Sequence, residues 1–264
     1  MKEKGPRKNK QARKISLVFA MASEAQPLID ALNLTPANVN TEIGSLPFRY
    51  FAGVWKGLEI TLASNGKDSR FGVDQIGSEP AAVNAFLTRQ LFHPDIIASI
   101  GTAGGLTDLG AKTGEVFLGN KQVFFHDHRI PLPGMREFGL GAYPSLDMSE
   151  IGAHLGLRIE TISSRNSLDF NVTDLEALKK NHAHIEEMEA AAIAWVCFIT
   201  KTPFFAIKAI TNVFCETASA ANDFEHNLRV AVASLCANTV RVLEVLSGDA
   251  WDTLLSTYKA TLPK

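Results

Sequence analysis

Cysteine is scarce in this chain: three among 264 residues, Cys197, Cys215 and Cys236, too widely spaced for a CxxC metal pair and too few for a disulfide framework. That usage suits a reducing compartment, most simply the cytoplasm, and leaves the thiols as small buried hydrophobes. No run reaches the ~18 uninterrupted apolar residues that a membrane span needs, so no membrane partner is expected. The first fourteen residues, MKEKGPRKNKQARK, contain no apolar segment and do not read as a secretory signal. GxGxxG, a phosphate loop ending in Lys-Ser/Thr, and GxSxG are missing as well. Their absence removes the usual marks of dinucleotide binding, triphosphate binding and a serine nucleophile elbow, and no cofactor is implied.

What is present begins with an uneven charge. The net charge is −2, yet the first fourteen residues carry seven Lys/Arg against Glu3, which leaves −8 on the rest. An acidic body argues against a nucleic-acid partner, since phosphate binding needs clustered cations to displace counterions. Residues 1–13 read as a solvated, disordered tail, with contact to RNA or an anionic surface as the alternative.

A hydrophobic content of 46% suits one sizeable domain, placed at residues 14–248 with a C-terminal extension at 249–264. Strand patterns at 15–21, 48–54, 58–63, 95–100, 115–125, 158–163 and 203–210 alternate with helical patterns at 25–34, 73–91, 187–198 and 224–246. Ser23 reads as the N-cap of the first helix, and Met188, Ala191, Ala192 and Trp195 as the apolar face of the third. Pro and Gly crowd 131–144, a loop signature. The rhythm predicts an α/β fold, a three-layer α/β/α sandwich around a mixed, mostly parallel sheet.

Ligands in such sheets bind beyond the carboxyl ends of strands. That rule selects Ser23-Glu24, the run Gly101–Gly105, Glu187-Met188-Glu189 and Thr211-Asn212, whose polar groups should converge in one pocket. The glycine run reads as a turn after a strand ending at Ile100, where missing Cβ atoms let the backbone approach a flat ligand.

Taken in order, AMASEA (20–25), IGTAGG (100–105), EMEAAAIA (187–194) and KAITN (208–212) resemble the methylthioadenosine/S-adenosylhomocysteine nucleosidases, of the purine nucleoside phosphorylase-like superfamily. FFHDHRIPLP (124–133) and SLDF (167–170) lean toward the plant-type branch. The resemblance covers about residues 14–246. It implies hydrolysis of the N-glycosidic bond of 5′-substituted adenosines, with 5′-methylthioadenosine or S-adenosylhomocysteine as substrate. By the same resemblance Glu24 is the base that activates water, and Glu189 accepts from the ribose hydroxyls and stabilises an oxocarbenium-like sugar. Thr102, Ala103 and Gly104 line the pocket. Glu187 and Met188 complete the substrate-binding set, with Met188 against the sugar, and Phe170 stacks on the purine. A homodimer is expected on the same ground.

One position departs from the family pattern. Asn212 stands where an aspartate would protonate purine N7, and Cys215 occupies a later acidic position. An amide donates a hydrogen bond but cannot transfer a proton. Three explanations stay open: an adenosine hydrolase supplied with protons by solvent or a neighbour such as Glu216; a 6-oxopurine hydrolase of the inosine or futalosine type; and a nucleoside-binding or storage protein without turnover. Phosphorolysis is disfavoured because no arginine adjoins the glycine run, and Lys67 and Arg70 read as a solvated turn. His126-Asp127-His128 has no third metal ligand at recognisable spacing, so it reads as a polar loop entry and no metal is implied.

Overall fold

A computed structural model describes residues 12–169, 172–214 and 224–261. The expected strands form as β1 (Arg13–Phe19), β3 (Arg49–Trp55), β4 (Leu58–Ser64), β5 (Ile96–Leu106), β6 (Val116–Phe125), β8 (Arg158–Ser164) and β10 (Phe204–Phe214). Short strands β2 (Thr35–Pro36), β7 (Tyr143–Pro144) and β9 (Ile185–Glu187) add to them. The helices are α1 (Ala22–Ala31), α2 (Thr41–Gly44), α3 (Ser78–Phe92), α4 (Met135–Leu140), α5 (Ser149–Leu155), α6 (Val172–Lys180), α7 (Ala190–Ile199), α8 (Phe224–Ser247) and α9 (Ala250–Thr261).

All ten strands share one sheet, ordered β10-β6-β8-β9-β5-β1-β4-β3-β2, with β7 on β6. β10 also pairs with β5, so β5, β10, β6, β8 and β9 close on one another into a ring. Parallel ladders join β4, β1, β5 and β10 in turn, and antiparallel pairing supplies the β3–β4 hairpin and the short β5–β9 and β10–β6 contacts. The sheet is therefore mixed, with parallel pairing at its centre.

Alternation along the central strands explains the layers. Ile15, Leu17 and Phe19 of β1, with Ile96, Ala98 and Ile100 of β5, pack on one face together with residues of α1, α8 and α9. Val18, Ile97, Phe204 and Ala206 face the other way, onto α3 and α7. Strands apolar on both faces belong inside such a sandwich. The segment Asn227–Ser247 of α8 has the length and apolarity to cross a bilayer, but here Ala231, Leu235, Val242, Leu243 and Leu246 join the core.

Several boundaries differ from the sequence reading. The glycine run is not a turn: β5 continues to Leu106, held by β10 on one side and β9 on the other. The helix expected from residue 73 begins at Ser78, because Val73 and Ile76 lie exposed in a loop and Gly77, at φ 103°, breaks the helical path. Met21, not Ser23, is the N-cap of α1. Trp195, expected in the core, is 41% exposed, while Ala191 and Ala192 are buried. Met135–Leu140 is helical within the predicted loop region. The C-terminal extension forms α9, whose Trp251, Leu254 and Tyr258 enter the core, and Arg13 ties it down by an ion pair to Asp252 at 2.8 Å.

Candidate active site

The four clusters chosen from strand ends meet in one cavity of about 390 Å³, bordered by Glu24, Thr102, Ala103, Gly104, Glu187, Met188, Glu189, Thr211 and Asn212. Phe170, Cys215 and Glu216 lie outside the described residues.

Glu24 stands in the first turn of α1, and its carboxylate turns back toward β5. Oε1 accepts from Thr102 twice, from the backbone N–H and from Oγ1, each at 2.7 Å; Oε2 accepts from Met21 N–H at 3.3 Å. Only 4% of the residue is exposed. Burial pushes its carboxyl above the ordinary glutamate range, with the Thr102 hydrogen bonds and the nearby Lys208 charge opposing. A carboxylate held by fixed donors, with a raised proton affinity, has the properties of a general base. Gly101 lies beside both groups: a Cβ there would meet Glu24 Oε1 at 3.4 Å and Lys208 Nζ at 3.6 Å, ordinary contact distances.

The Glu187-Met188-Glu189 cluster does not begin a helix. Glu187 ends β9, and Glu189 is the N-cap of α7. Glu187 does the capping: its Oε2 accepts from the N–H groups of Glu189 at 3.1 Å and Ala190 at 2.8 Å. It also pairs with Lys208 Nζ at 2.9 Å and accepts from Ser164 Oγ. Glu187 borders the cavity while both its oxygens serve the protein, so it acts as a positioning residue. Glu189 is differently placed. Its Oε1 accepts from Gly77 N–H at 2.7 Å, at the N-terminus of α3. Burial, followed by the neighbouring Glu187 charge, pushes its carboxyl up to about 7.

Asn212 reaches the cavity through an irregularity in β10. Ile210 pairs with Ala103 and Asn212 with Gly104, so Thr211 is an inserted residue. A regular strand sends consecutive side chains to opposite faces; the bulge lets Thr211 and Asn212 both border the cavity. Thr211 Oγ1 donates to Ala103 O at 3.2 Å.

Sequence reasoning missed Lys208 and Glu186. Lys208 is buried, and Nζ donates to Ser99 Oγ at 3.0 Å as well as to Glu187. A lysine inside the apolar run FFAIKAI signals a buried ion pair. Glu186 borders the cavity and pairs with the buried Arg165 at 3.0 Å. Lys67 is exposed and Arg70 pairs with Asp68 at 2.8 Å, as a solvated turn would. The histidine cluster splits up: His126 is buried toward Glu186, Asp127 accepts from Asn166 N–H at 2.9 Å, and His128 stacks on Phe125 with ring centres 3.9 Å apart.

The profile of the Phosphorylase superfamily matches residues 14–244. A 5′-methylthioadenosine nucleosidase of Arabidopsis thaliana is 33% identical over 89% of this chain and 87% of its own length. A second Arabidopsis protein, a 5′-methylthioadenosine/S-adenosylhomocysteine nucleosidase, is also 33% identical, over 89% of this chain and 92% of its own. The solved apo structure of Arabidopsis 5′-methylthioadenosine nucleosidase superposes with a TM-score of 0.86 at 33% identity, covering 90% of this chain and 97% of that one.

Proposed function

Because this chain belongs to the phosphorylase superfamily and, within it, to the 5′-methylthioadenosine/S-adenosylhomocysteine nucleosidases, we propose that it cleaves the N-glycosidic bond of 5′-methylthioadenosine with water. The products are adenine and 5-methylthioribose. S-adenosylhomocysteine is the second substrate of the same class, as in the name of one Arabidopsis relative.

The observation that carries this reading is the enclosure of Glu24, Glu189 and Asn212 in one cavity. Breaking the glycosidic bond builds positive charge on the ribose and negative charge on the purine. Glu24, aimed by Thr102, takes a proton from the attacking water. Glu189 accepts from the ribose hydroxyls, and its ionised form is favoured as the sugar becomes cationic. Asn212 offers its amide to purine N7. Water is the preferred acceptor, because the cationic group at this end of the cavity, Lys208, is already committed to Glu187 and Ser99.

Association into a homodimer belongs to the same proposal. Val83 and Phe86 of α3 and Trp195, Phe198 and Ile199 of α7 are exposed on two helices packed together. Ile76 and Leu168 are exposed at the cavity's border, where a second copy would cover them.

The test is incubation with 5′-methylthioadenosine, S-adenosylhomocysteine, inosine and futalosine, with the released base quantified. Adenine release at ordinary enzymatic rates supports the proposal. Hypoxanthine release without adenine transfers the activity to 6-oxopurine nucleosides, the alternative that Asn212 leaves open. A strict phosphate requirement, or tight binding with no base released, defeats the hydrolase.

A further inference from the structure

The carboxylate assigned to the ribose hydroxyls has a thin hold on the protein. Among the described residues, the side chain of Glu189 accepts one hydrogen bond, from Gly77 N–H at 2.7 Å. That donor belongs to the N-cap of α3, so the placement of Glu189 depends on where this helix begins.

The start of α3 cannot cap itself. The first N–H groups of a helix have no partner within it, and a glycine at the N-cap brings no side-chain acceptor. Two other segments supply the acceptors: Glu189 takes Gly77 N–H, and Asn166 Oδ1 takes Ser78 N–H at 2.8 Å. The fit is close. Gly77 sits at φ 103°, and a Cβ there would stand 3.1 Å from Asn166 Oδ1. Asn166 is itself fixed from behind, because its N–H donates to Asp127 Oδ2 at 2.9 Å. The preceding residue, Arg165, is buried, with its N–H on Glu187 O at 3.0 Å and its guanidinium on Asp174 and Glu186. The bond from Ser78 to Asn166 also joins the two rims of the cavity, since Ile76 lies two residues before Ser78 and Leu168 two after Asn166.

Asn166 Oδ1 and Glu189 Oε1 thus accept from consecutive N–H groups at the positive end of a 15-residue helix. One acceptor ionises and the other does not. A neutral amide at position 166 caps the helix without setting another negative charge beside Glu189.

We propose that Asn166 is a positioning residue for the reaction, holding the N-terminus of α3 so that Gly77 N–H keeps Glu189 against the ribose. The role rests on the nucleosidase reading. Asn166 is not among the residues that border the cavity, so it acts through Glu189 and touches no reacting atom.

Adenine release from 5′-methylthioadenosine tests this in a double-mutant cycle of Asn166→Ala and Glu189→Gln. Asn166→Ala alone is expected to lower kcat/KM about tenfold, the worth of one hydrogen bond, with the loss mostly in kcat. Its melting temperature should stay within a few degrees of the unaltered protein. In the Glu189→Gln background the same change should cost less than about threefold, because no charge is left to place opposite the cationic sugar. A general loosening of the fold would cost the same factor in both backgrounds.

Asn166→Asp gives a second reading. It keeps the acceptor, and a carboxylate suits a helix N-terminus, so the fold is retained. Its charge beside Glu189 favours the protonated form of that carboxyl, and the acid limb of the kcat/KM profile should move up by about half a pH unit or more. The other charges facing Glu189 stay as they are: Glu187, Lys208 and Glu24 in the cavity wall, Glu79 in the first turn of α3, and Asp127 behind Asn166. No loss in Asn166→Ala, equal losses in both backgrounds, or an unmoved acid limb in Asn166→Asp overturns the proposal and leaves the nucleosidase reading standing. The pH comparison decides the matter even where Asn166→Ala fails to fold. No adenine from the unaltered chain overturns the nucleosidase reading, and this inference with it.

Discussion

Glu187 and Lys208 meet at 2.9 Å in the cavity wall, with only 1% and 2% of their side chains exposed. Removing one partner of such a pair strands the other charge in a poorly solvated site, which costs about 3–5 kcal/mol. Lys208→Met is therefore expected to lose stability on that scale, measured as a fall in the urea midpoint. Adding Glu187→Gln to Lys208→Met should recover at least about half of the loss, because the stranded charge goes with it. No recovery would mean that the helix-capping bonds of Glu187 outweigh its charge.

Glu189 sets a pH signature on the ligand-free fold. Its carboxyl is raised from 4.5 to about 7, first by burial and then by Glu187. Between those values the folded chain keeps a proton that the unfolded chain has released. This contribution is fully present below about pH 4.5 and is lost as pH rises through 7. Glu189→Gln, which cannot ionise, should be more stable than the unaltered protein at pH 8 by ~1–2 kcal/mol, allowing for partial solvent contact, with the difference shrinking at pH 5. Urea titrations at both pH values check it. Base release by this variant should fall ~100-fold or more, since its charge opposite the cationic sugar is gone.

Asn212 makes a prediction of its own. An amide cannot hand a proton to the departing purine, so Asn212→Asp, which restores a proton donor at that position, should raise adenine release from 5′-methylthioadenosine about 100-fold or more. Single-turnover adenine release from the two proteins measures it, and no gain would mean that the proton reaches the base by another route.

The exposed faces of α3 and α7 predict an assembly. Replacing Trp195 and Phe198, 41% and 54% exposed, by glutamate should give a monomer by light scattering, with the melting temperature of the folded unit changed by only a few degrees. Activity should fall through a raised KM, because Ile76 and Leu168 at the cavity border would lose their cover.

Much of the site was legible because strand ends are legible. Apolar runs ending at Met21, Ile100 and Ile210 place Glu24, Thr102 and Asn212 at one end of a sheet, and the cavity gathers them there. What escaped has physical reasons. A glycine run looks like a turn, yet in β5 it extends the strand between two partners. Consecutive glutamates look alike, but Glu186 faces Arg165, Glu187 caps α7, and Glu189 reaches Gly77. Their roles are set by residues distant in the chain. Trp195 resembled core because hydrophobicity alone does not distinguish an exposed apolar side chain from an interior one. Arg165 carried no local signal, for it is solvated or buried according to whether Asp174 and Glu186 are near.

The ring of β5, β10, β6, β8 and β9 has a kinetic consequence. Each of its strands is bonded on both flanks, so parting any two of them for ligand traffic would sacrifice main-chain hydrogen bonds with nothing to replace them. Entry and exit therefore fall to the segments carrying Ile76 and Leu168, which border the cavity outside those ladders. The ladders that fix the chamber's floor thereby hold Thr102 and Asn212 at one spacing, whatever passes through its mouth.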